Sequence, residues 1–140
     1  MLLATDADWI HDEVDAALAG SDSVVHRVRN GIDVLAACRQ VEPDLVILDM
    51  QIGNQGGIAT CMAIRHDEGA DRLPITAVLL LLDRAADTFL ARRCEADGWL
   101  VKPLDAFRLR RAAAALVAGG SYVEAMPEGY DHDNAPEPVS

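Results

Sequence analysis

Three aspartates and one lysine stand directly after apolar stretches of the chain, where the strands of a sheet would end. Asp6 follows the apolar start of the chain, and Asp49 ends the run DLVILD. Asp83 follows the run AVLLLL, and Lys102 follows the short run WLV. Carboxylates gathered at one place repel one another, and a divalent cation together with an ammonium group relieves that repulsion. An aspartate held beside Mg²⁺ and a lysine is equipped for phosphoryl transfer, because both cations neutralise phosphoryl oxygens.

The elements that would position these residues alternate between strand and helix patterns along residues 1–118. Strands that are apolar on both faces are typical of a parallel sheet covered by helices on both sides. The pattern therefore predicts an α/β fold of the (βα)5 type, whose functional crevice lies beyond the carboxyl ends of the strands. The predicted strands cover 2–5, 23–28, 44–49, 74–82 and 99–101, and the predicted helices cover 9–18, 32–38, 58–64, 85–96 and a last segment after Asp105 as N-cap.

Composition and charge narrow the class of protein. The chain has 140 residues and a formal net charge of −11, which opposes binding to nucleic acid or to an anionic membrane surface. Its longest central apolar run is far too short to span a membrane, and its start lacks the pattern of a signal peptide. The three cysteines are far apart in sequence and are expected to be free, buried thiols in a reducing compartment. We therefore expect a cytoplasmic protein with neither a nucleic-acid nor a membrane partner.

The C-terminal end differs in composition from the rest of the chain. Gly119 and Gly120 are a natural helix stop. From Ser121 onward there are five carboxylates, three prolines and no lysine or arginine. Such a stretch buries too little apolar surface to offset the entropy of ordering it. We therefore predict one domain over 1–118 and an acidic, proline-containing disordered tail over 119–140.

Three motifs, taken together in their order and spacing, resemble the receiver domain of bacterial two-component response regulators. They are PDLVILDMQIGNQGG, in which Gly57 stands eight residues after Asp49; the later ADGWLVKP; and an aspartate just after the first strand. The resemblance covers about residues 1–118. It implies the flavodoxin-like fold, a doubly wound five-stranded parallel sheet with strand order 2-1-3-4-5. It also implies a phosphorelay function, in which a sensor histidine kinase or a phosphotransfer protein donates the phosphoryl group.

The resemblance assigns roles to individual residues. Asp49 matches the phosphoacceptor, and Lys102 matches the lysine that contacts the phosphate, with a cis bond to Pro103. Mg²⁺ would be bound by Asp6, by Asp49 and by the backbone carbonyl of Gln51. Such a domain is no enzyme beyond catalysing its own phosphorylation and dephosphorylation.

The acidic pocket departs from the family pattern at two places. Ala7 stands where the family usually has a second acid that binds the metal directly, and Gly53 replaces a usual proline. Asp8, one residue after Ala7, is either a displaced second acid or the N-cap of the first helix. Because a direct ligand is missing, we expect a weakened Mg²⁺ site.

The switch residues depart from the family pattern as well. Trp99 matches the aromatic residue that rotates between exposed and inward states, although it is equally explained as a half-buried surface aromatic. The family usually has serine or threonine at the end of strand 4, and the alignment places Leu80 there, with Leu79 or Leu82 as alternatives if the loop contains a gap. None of these leucines forms a hydrogen bond through its side chain, so phosphorylation should couple poorly to Trp99.

Two functions remain open from the sequence. The first is a stand-alone receiver that signals through protein–protein contacts with a downstream partner, or as a homodimer through the last two helices. The second is a pseudo-receiver, an interaction module that works without phosphorylation. A related metal-dependent phosphohydrolase is disfavoured, because it would need an acid where Gln51 stands. The arginines of the last two helices are either a docking surface or a solvated face: Arg92, Arg93, Arg108, Arg110 and Arg111.

Overall fold

A computed structural model of the chain describes residues 1–20, 23–53 and 55–124. Its centre is a sheet of five parallel strands in the order β2-β1-β3-β4-β5. This order and the flavodoxin-like fold confirm the predicted fold class. The strands are β1 Leu2–Ala4, β2 His26–Val28, β3 Leu45–Asp49, β4 Ala77–Leu82 and β5 Gly98–Val101.

Five α-helices cover the two faces of the sheet. They are α1 Asp8–Leu18, α2 Val34–Val41, α3 Gly57–Gly69, α4 Thr88–Arg93 and α5 Ala106–Val117. Helices α1 and α5 pack on one face, and α2, α3 and α4 pack on the other. Among the residues described, no helix is both long and apolar enough to cross a membrane.

The uninterrupted apolar run of β4 follows from this double covering. Leu79 and Leu81 face the core beneath α1 and α5, whereas Leu80 and Leu82 face the core beneath the other three helices. All four leucines are fully buried, since neither face of the strand meets water. The three cysteines are also buried and free, as predicted.

Several element boundaries differ from the sequence prediction. Strand β4 begins at Ala77 rather than at residue 74, and α3 continues to Gly69. Two predicted helices begin with a short 3₁₀ turn, over 31–33 and 85–87, before the α-helix starts. The spacing of apolar residues cannot distinguish a 3₁₀ turn from the first turn of an α-helix. A single turn is too short to show a period. The predicted N-cap of α5 is confirmed, since the Asp105 side chain accepts a hydrogen bond from the Arg108 N–H.

The predicted tail does not begin where α5 ends. Gly119 does end the helix, with a φ of 90°, but residues 121–124 return along the outer edge of β5. The Trp99 N–H donates to the Tyr122 carbonyl at 2.8 Å, and the Tyr122 N–H donates to the Asp97 carbonyl. Within the predicted tail, this short stretch lies against β5, whose edge offers unpaired backbone groups that composition does not reveal. The rest of the predicted tail, 125–140, lies outside the described residues.

Candidate functional site

Asp49 ends β3 and is the most enclosed carboxylate of the site, with 1% of its surface exposed. One carboxylate oxygen, Oδ2, accepts a hydrogen bond of 2.8 Å from the Thr5 hydroxyl. The other, Oδ1, accepts from the Gln51 N–H at 3.0 Å and from the Lys102 ammonium at 2.6 Å. A buried carboxylate is stable only when charged or polar partners replace its water. Here three donors do so, and they hold both oxygens in a fixed orientation.

Lys102 bridges two carboxylates rather than one. Its Nζ lies 2.6 Å from Asp49 Oδ1 and 2.8 Å from Asp83 Oδ1. Burial lowers the pKa of this ammonium, but the hydrogen bonds with Asp49 and Asp83 outweigh burial and raise the pKa above its usual value. The Gln51 side-chain amide donates to the second oxygen of Asp83. The lysine is therefore positively charged at neutral pH and shared between two strand ends.

The register of the sheet places these groups together. Asp49 pairs with Leu81, and Leu82 pairs with Val101, so β3, β4 and β5 end side by side. The Lys102 N–H donates to the Leu82 carbonyl at 2.9 Å and extends this pairing by one residue. The peptide bond between Lys102 and Pro103 is cis, as the resemblance implied.

Gly57 allows α3 to begin directly against the end of β3. A Cβ at this position would lie 2.6 Å from the Asp49 carbonyl oxygen and 3.0 Å from Met50 Cα. Both atoms belong to the backbone, so neither can move aside without displacing the strand end. The glycine eight residues after Asp49 is therefore required by the close approach of helix and strand.

The acids after β1 are not equivalent. Asp6 is exposed, and its Oδ2 lies beside Gly53, 3.2 Å from where a Cβ on that glycine would be. Asp8 points elsewhere, because its carboxylate pairs with Arg27 at 2.9 Å and with Arg29 at 3.4 Å. Asp8 is also not the N-cap of α1, since it is the first helical residue and the cap is Ala7.

Asp8 is thus engaged by arginines of the β2 segment, which argues against its being the displaced second acid of the pocket. Within the part of the chain that the structure describes, no three acidic, histidine or cysteine side chains are already grouped as a metal cage. Asp6 follows β1 and Asp49 ends the adjacent strand β3, so both carboxylates lie at the same end of the sheet.

The residue that ends strand 4 is Leu82 rather than Leu80. Leu80 pairs with Leu48 and Trp99 inside the sheet, two residues before the strand end. The placement of Leu80 at the strand end was wrong, because β4 runs two residues further to Leu82, which was one of the two alternatives. Leu82 is fully buried, and the next residue is Asp83. A carboxylate beside a buried leucine therefore stands where the family usually has a hydroxyl.

Trp99 is 4% exposed and belongs to the core beneath α4. The interpretation of Trp99 as a half-buried surface aromatic is therefore wrong, since the ring lies inward. Its indole Nε1–H donates to the backbone carbonyl of Glu124 at 3.0 Å.

Thr5 is the functional residue that the sequence reasoning missed. It is fully buried, and its hydroxyl both donates to Asp49 and accepts from the Ala7 N–H. The sequence feature that could have indicated this role is the position of Thr5, a single hydroxyl residue between the apolar strand and Asp6. The position of Asp83 was noted from the sequence, but its ion pair with Lys102 was not predicted.

The three arginines on α5 all have contacts within the domain. Arg108 donates to the Val101 and Pro103 carbonyls, and Arg110 donates to the Ala17 carbonyl at 3.2 Å. The Arg111 guanidinium lies over the Phe107 ring, 5.5 Å from its centroid. Arg108 therefore connects α5 to β5 and Arg110 connects it to α1, whereas Arg111 packs within the helix.

Asp83 is expected to make stability fall at acid pH. Burial raises the pKa of this carboxyl, but its hydrogen bonds with Lys102 and Gln51 outweigh burial and lower the pKa below 3.8. The stabilisation is therefore complete above that value and is lost as pH falls through the lower pKa of the folded protein. Urea unfolding of wild type and Asp83→Asn across the acid range would check this, because their difference should shrink toward low pH. The same series with Asp15→Asn, an exposed site on α1, is the control, and a pH-independent difference for Asp83→Asn would contradict the prediction.

Comparison with known proteins identifies the family and supports the fold. A family model described as "Response regulator receiver domain" matches residues 1–114. The chain is 28% identical over 117 residues to the DNA-binding dual master transcriptional regulator RpaA of Synechocystis sp.. It is 32% identical over 97 residues to the DNA-binding response regulator MtrA of Mycobacterium tuberculosis. These matches cover 84% and 64% of this chain, and 48% and 41% of the relatives, so the chain spans less than half of their length.

Other relatives match over nearly their whole length. Protein PilH of Pseudomonas aeruginosa is 25% identical over 119 residues, which are 85% of this chain and 98% of PilH. Among solved structures, the receiver domain of NtrX from Brucella abortus has a TM-score of 0.72 and 22% identity, covering 85% of this chain and 98% of that one. A putative response regulator from Chloroflexus aurantiacus has a TM-score of 0.74 and 21% identity, covering 84% and 95%. At these identities the structures support the fold alone.

Proposed function

The chain belongs to the response regulator receiver domain family, and we propose that it accepts a phosphoryl group on Asp49. Receiver domains interact with histidine kinases or phosphotransfer proteins and are signalling modules rather than enzymes in the usual sense. The observation that supports the proposal is the fixed triad of Asp49, Lys102 and Thr5 at the carboxyl end of the sheet. It places one oriented, almost fully buried carboxylate beside one ammonium at the carboxyl ends of the strands.

The chemistry is a displacement at phosphorus. An Asp49 carboxylate oxygen attacks the phosphorus atom, a new O–P bond forms, and the bond from phosphorus to the donor histidine or leaving oxygen breaks with its electron pair. Lys102 neutralises the negative charge that gathers on the phosphoryl oxygens. Thr5 and the Gln51 N–H keep the nucleophile oriented, which lowers the entropy cost of reaching the reactive geometry. Asp83 shares the same ammonium, so its carboxylate competes with the incoming phosphoryl group for Lys102.

The residues present fit a weak Mg²⁺ site. Asp49 Oδ2 accepts a single hydrogen bond and keeps acceptor capacity, and Asp6 is exposed at the end of the adjacent strand. Mg²⁺ is usually held by one or two carboxylates while it keeps several waters. Asp6, Asp49 and the Gln51 carbonyl would hold it here, and the metal would add positive charge at the phosphoryl oxygens. Ala7 supplies no ligand, which is why we propose a low affinity.

Signalling through protein contacts in the cytoplasm is the output that we propose. The relatives RpaA and MtrA are DNA-binding proteins by name, whereas this chain matches PilH over 98% of that protein. The similarity to PilH supports a receiver that works as a single domain. A homodimer through α4 and α5 is supported by exposed apolar side chains there, among them Leu90 and Phe107.

A pseudo-receiver is the second candidate, and two observations favour it. Asp8 is engaged by Arg27 and Arg29, so the missing acid at Ala7 is not replaced. Leu82 ends strand 4 with no hydroxyl to bind a phosphoryl oxygen, and Asp83 already occupies Lys102. In an interaction module that signals without phosphorylation, the pocket residues would serve only to stabilise the fold.

Intact mass spectrometry after incubation with Mg²⁺ and acetyl phosphate tests the proposal. We expect wild type to gain one phosphoryl group, and Asp49→Asn to gain none because an amide oxygen is a far weaker nucleophile. Chelation of Mg²⁺ should slow the reaction. Asp83→Asn is a matched control that makes the same change in charge and leaves the nucleophile intact, so it should still be modified.

Absence of the adduct on wild type, with folding shown by circular dichroism, would favour the pseudo-receiver. An adduct of equal yield on Asp49→Asn would show that another residue is the acceptor.

A further inference from the structure

The outer edge of β5 is covered by the chain's own C-terminal segment. β5 has β4 on one side, and on the other side Tyr122 pairs with Gly98 as a parallel bridge. The approach is close, because a Cβ on Gly98 would lie 2.5 Å from the Tyr122 carbonyl oxygen. The edge of β5 is thus shaped to accept an extended backbone, and glycine at position 98 makes the space for it.

Glu124 fixes this segment by its backbone and by its side chain. Its carbonyl accepts from the Trp99 indole N–H at 3.0 Å. Its carboxylate Oε1 accepts from the Val101 N–H at 3.0 Å, and Oε2 accepts from Arg108 Nε at 3.0 Å. A second guanidinium nitrogen of Arg108 also contacts Oε1. A carboxylate that meets both a strand N–H and a guanidinium fork is a charge-assisted arrangement, stronger than neutral hydrogen bonds.

Arg108 is oriented by groups other than Glu124. Its Nη2 donates to the Val101 carbonyl at 2.8 Å, and its Nη1 donates to the Pro103 carbonyl at 2.7 Å and to Asp105 at 3.2 Å. These contacts come from the β5 end and from the start of α5. The guanidinium therefore keeps its place at the strand edge whether or not a carboxylate is bound, which is a property of a preformed site.

We propose that the edge of β5 is a binding site for an extended peptide segment that carries a glutamate, and that residues 121–124 are its intramolecular ligand. A backbone carbonyl of such a ligand accepts from the Trp99 N–H. The glutamate stands two residues later, and its carboxylate contacts the Val101 N–H and Arg108. This is strand addition with one charged specificity contact. A partner protein with an extended acidic segment of this spacing would compete with the chain's own segment. The inference does not depend on phosphorylation of Asp49.

Amide hydrogen exchange in the full chain tests the proposal without any phosphodonor. In Glu124→Lys, the Trp99 and Val101 amides should exchange about tenfold faster than in wild type, since the charge-assisted contacts of Glu124 are lost. Glu124→Gln should give a smaller increase in the same two amides. Glu13→Lys, which makes the same change in charge at an exposed position of α1, should leave both rates unchanged.

A synthetic peptide of residues 119–126 then tests binding in trans. Added to the Glu124→Lys chain, it should restore protection of Trp99 and Val101. The same peptide with lysine in place of its glutamate should not. Wild-type exchange rates in both Glu124 variants would overturn the proposal, and so would equal protection by the two peptides. Neither result bears on the mass-spectrometric test of Asp49, so failures of the two proposals are distinguishable.

Discussion

Replacing Lys102 with methionine is expected to lower the free energy of unfolding by about 3 kcal/mol near neutral pH. The ammonium lies 2.6 Å from Asp49 and 2.8 Å from Asp83, and Asp49 is almost completely buried. Methionine fills a similar volume but leaves two neighbouring carboxylates without a cation. Their mutual repulsion and the desolvation of Asp49 are then uncompensated. Urea denaturation at equilibrium measures the loss.

Arg29→Met is the matched control for Lys102→Met. Arg29 also pairs with an aspartate, Asp8, but at 3.4 Å and with both side chains mostly exposed. Surface pairs of this kind contribute about 0.5 kcal/mol or less. The double variant Lys102→Met with Asp83→Asn should recover part of the loss, because one of the two unpaired charges is removed. Equal losses in Lys102→Met and Arg29→Met would contradict the central place of Lys102 in the site.

Adding one methyl group at Gly57 is expected to destabilise the protein by about 2 kcal/mol. The new Cβ would lie 2.6 Å from the Asp49 carbonyl oxygen and 3.0 Å from Met50 Cα, so α3 must move away from the end of β3. That movement shifts the backbone that carries Asp49 and Gln51. We therefore expect Gly57→Ala to lose both stability and most of the rate of phosphoryl adduct formation. Thermal unfolding and intact mass spectrometry measure the two effects.

Gly69→Ala provides the control on the same helix. Gly69 is the last residue of α3, and a Cβ there meets nothing within 4 Å. Alanine restricts the unfolded chain more than glycine does, so this variant should be unchanged or more stable by about 0.5 kcal/mol. Similar destabilisation in both variants would show that the loss does not depend on contact with the end of β3, and would remove the argument from close approach to Asp49.

Much of the fold was predictable from local patterns in the chain. Buried β-branched and leucine runs indicated the strands, and helical spacing indicated the helices, because burial on one or two faces leaves a period in the sequence. The positions of Asp6, Asp49 and Lys102 after strands were sufficient to place them at one edge of a parallel sheet. Gly57 was informative for a steric reason, since its spacing from Asp49 is set by the contact between helix and strand.

The partners of each charged side chain were decided by the tertiary structure. Asp8 pairs with Arg27 and Arg29, which lie about twenty residues away in sequence, and this removes it from the pocket. The pairing of β4 with β5 continues to Leu82, so that Asp83 follows directly at the site. Neither result could be predicted from the local sequence pattern. Each depends on strand register and on which charged side chains lie close together in the folded protein.

The C-terminal segment shows most clearly the difference between what the sequence pattern predicts and what the tertiary structure decides. Its composition predicted disorder, because a short acidic stretch has too little apolar surface to fold by itself. Residues 121–124 are nevertheless held, because an edge strand with free N–H groups and the oriented Arg108 lie beside them. The sequence by itself determined the order of strands and helices and which residues follow the strands, since these depend on periodicity and residue type. The tertiary structure decided which charged side chains form ion pairs. Such pairs depend on distance in space, which the local sequence pattern does not encode.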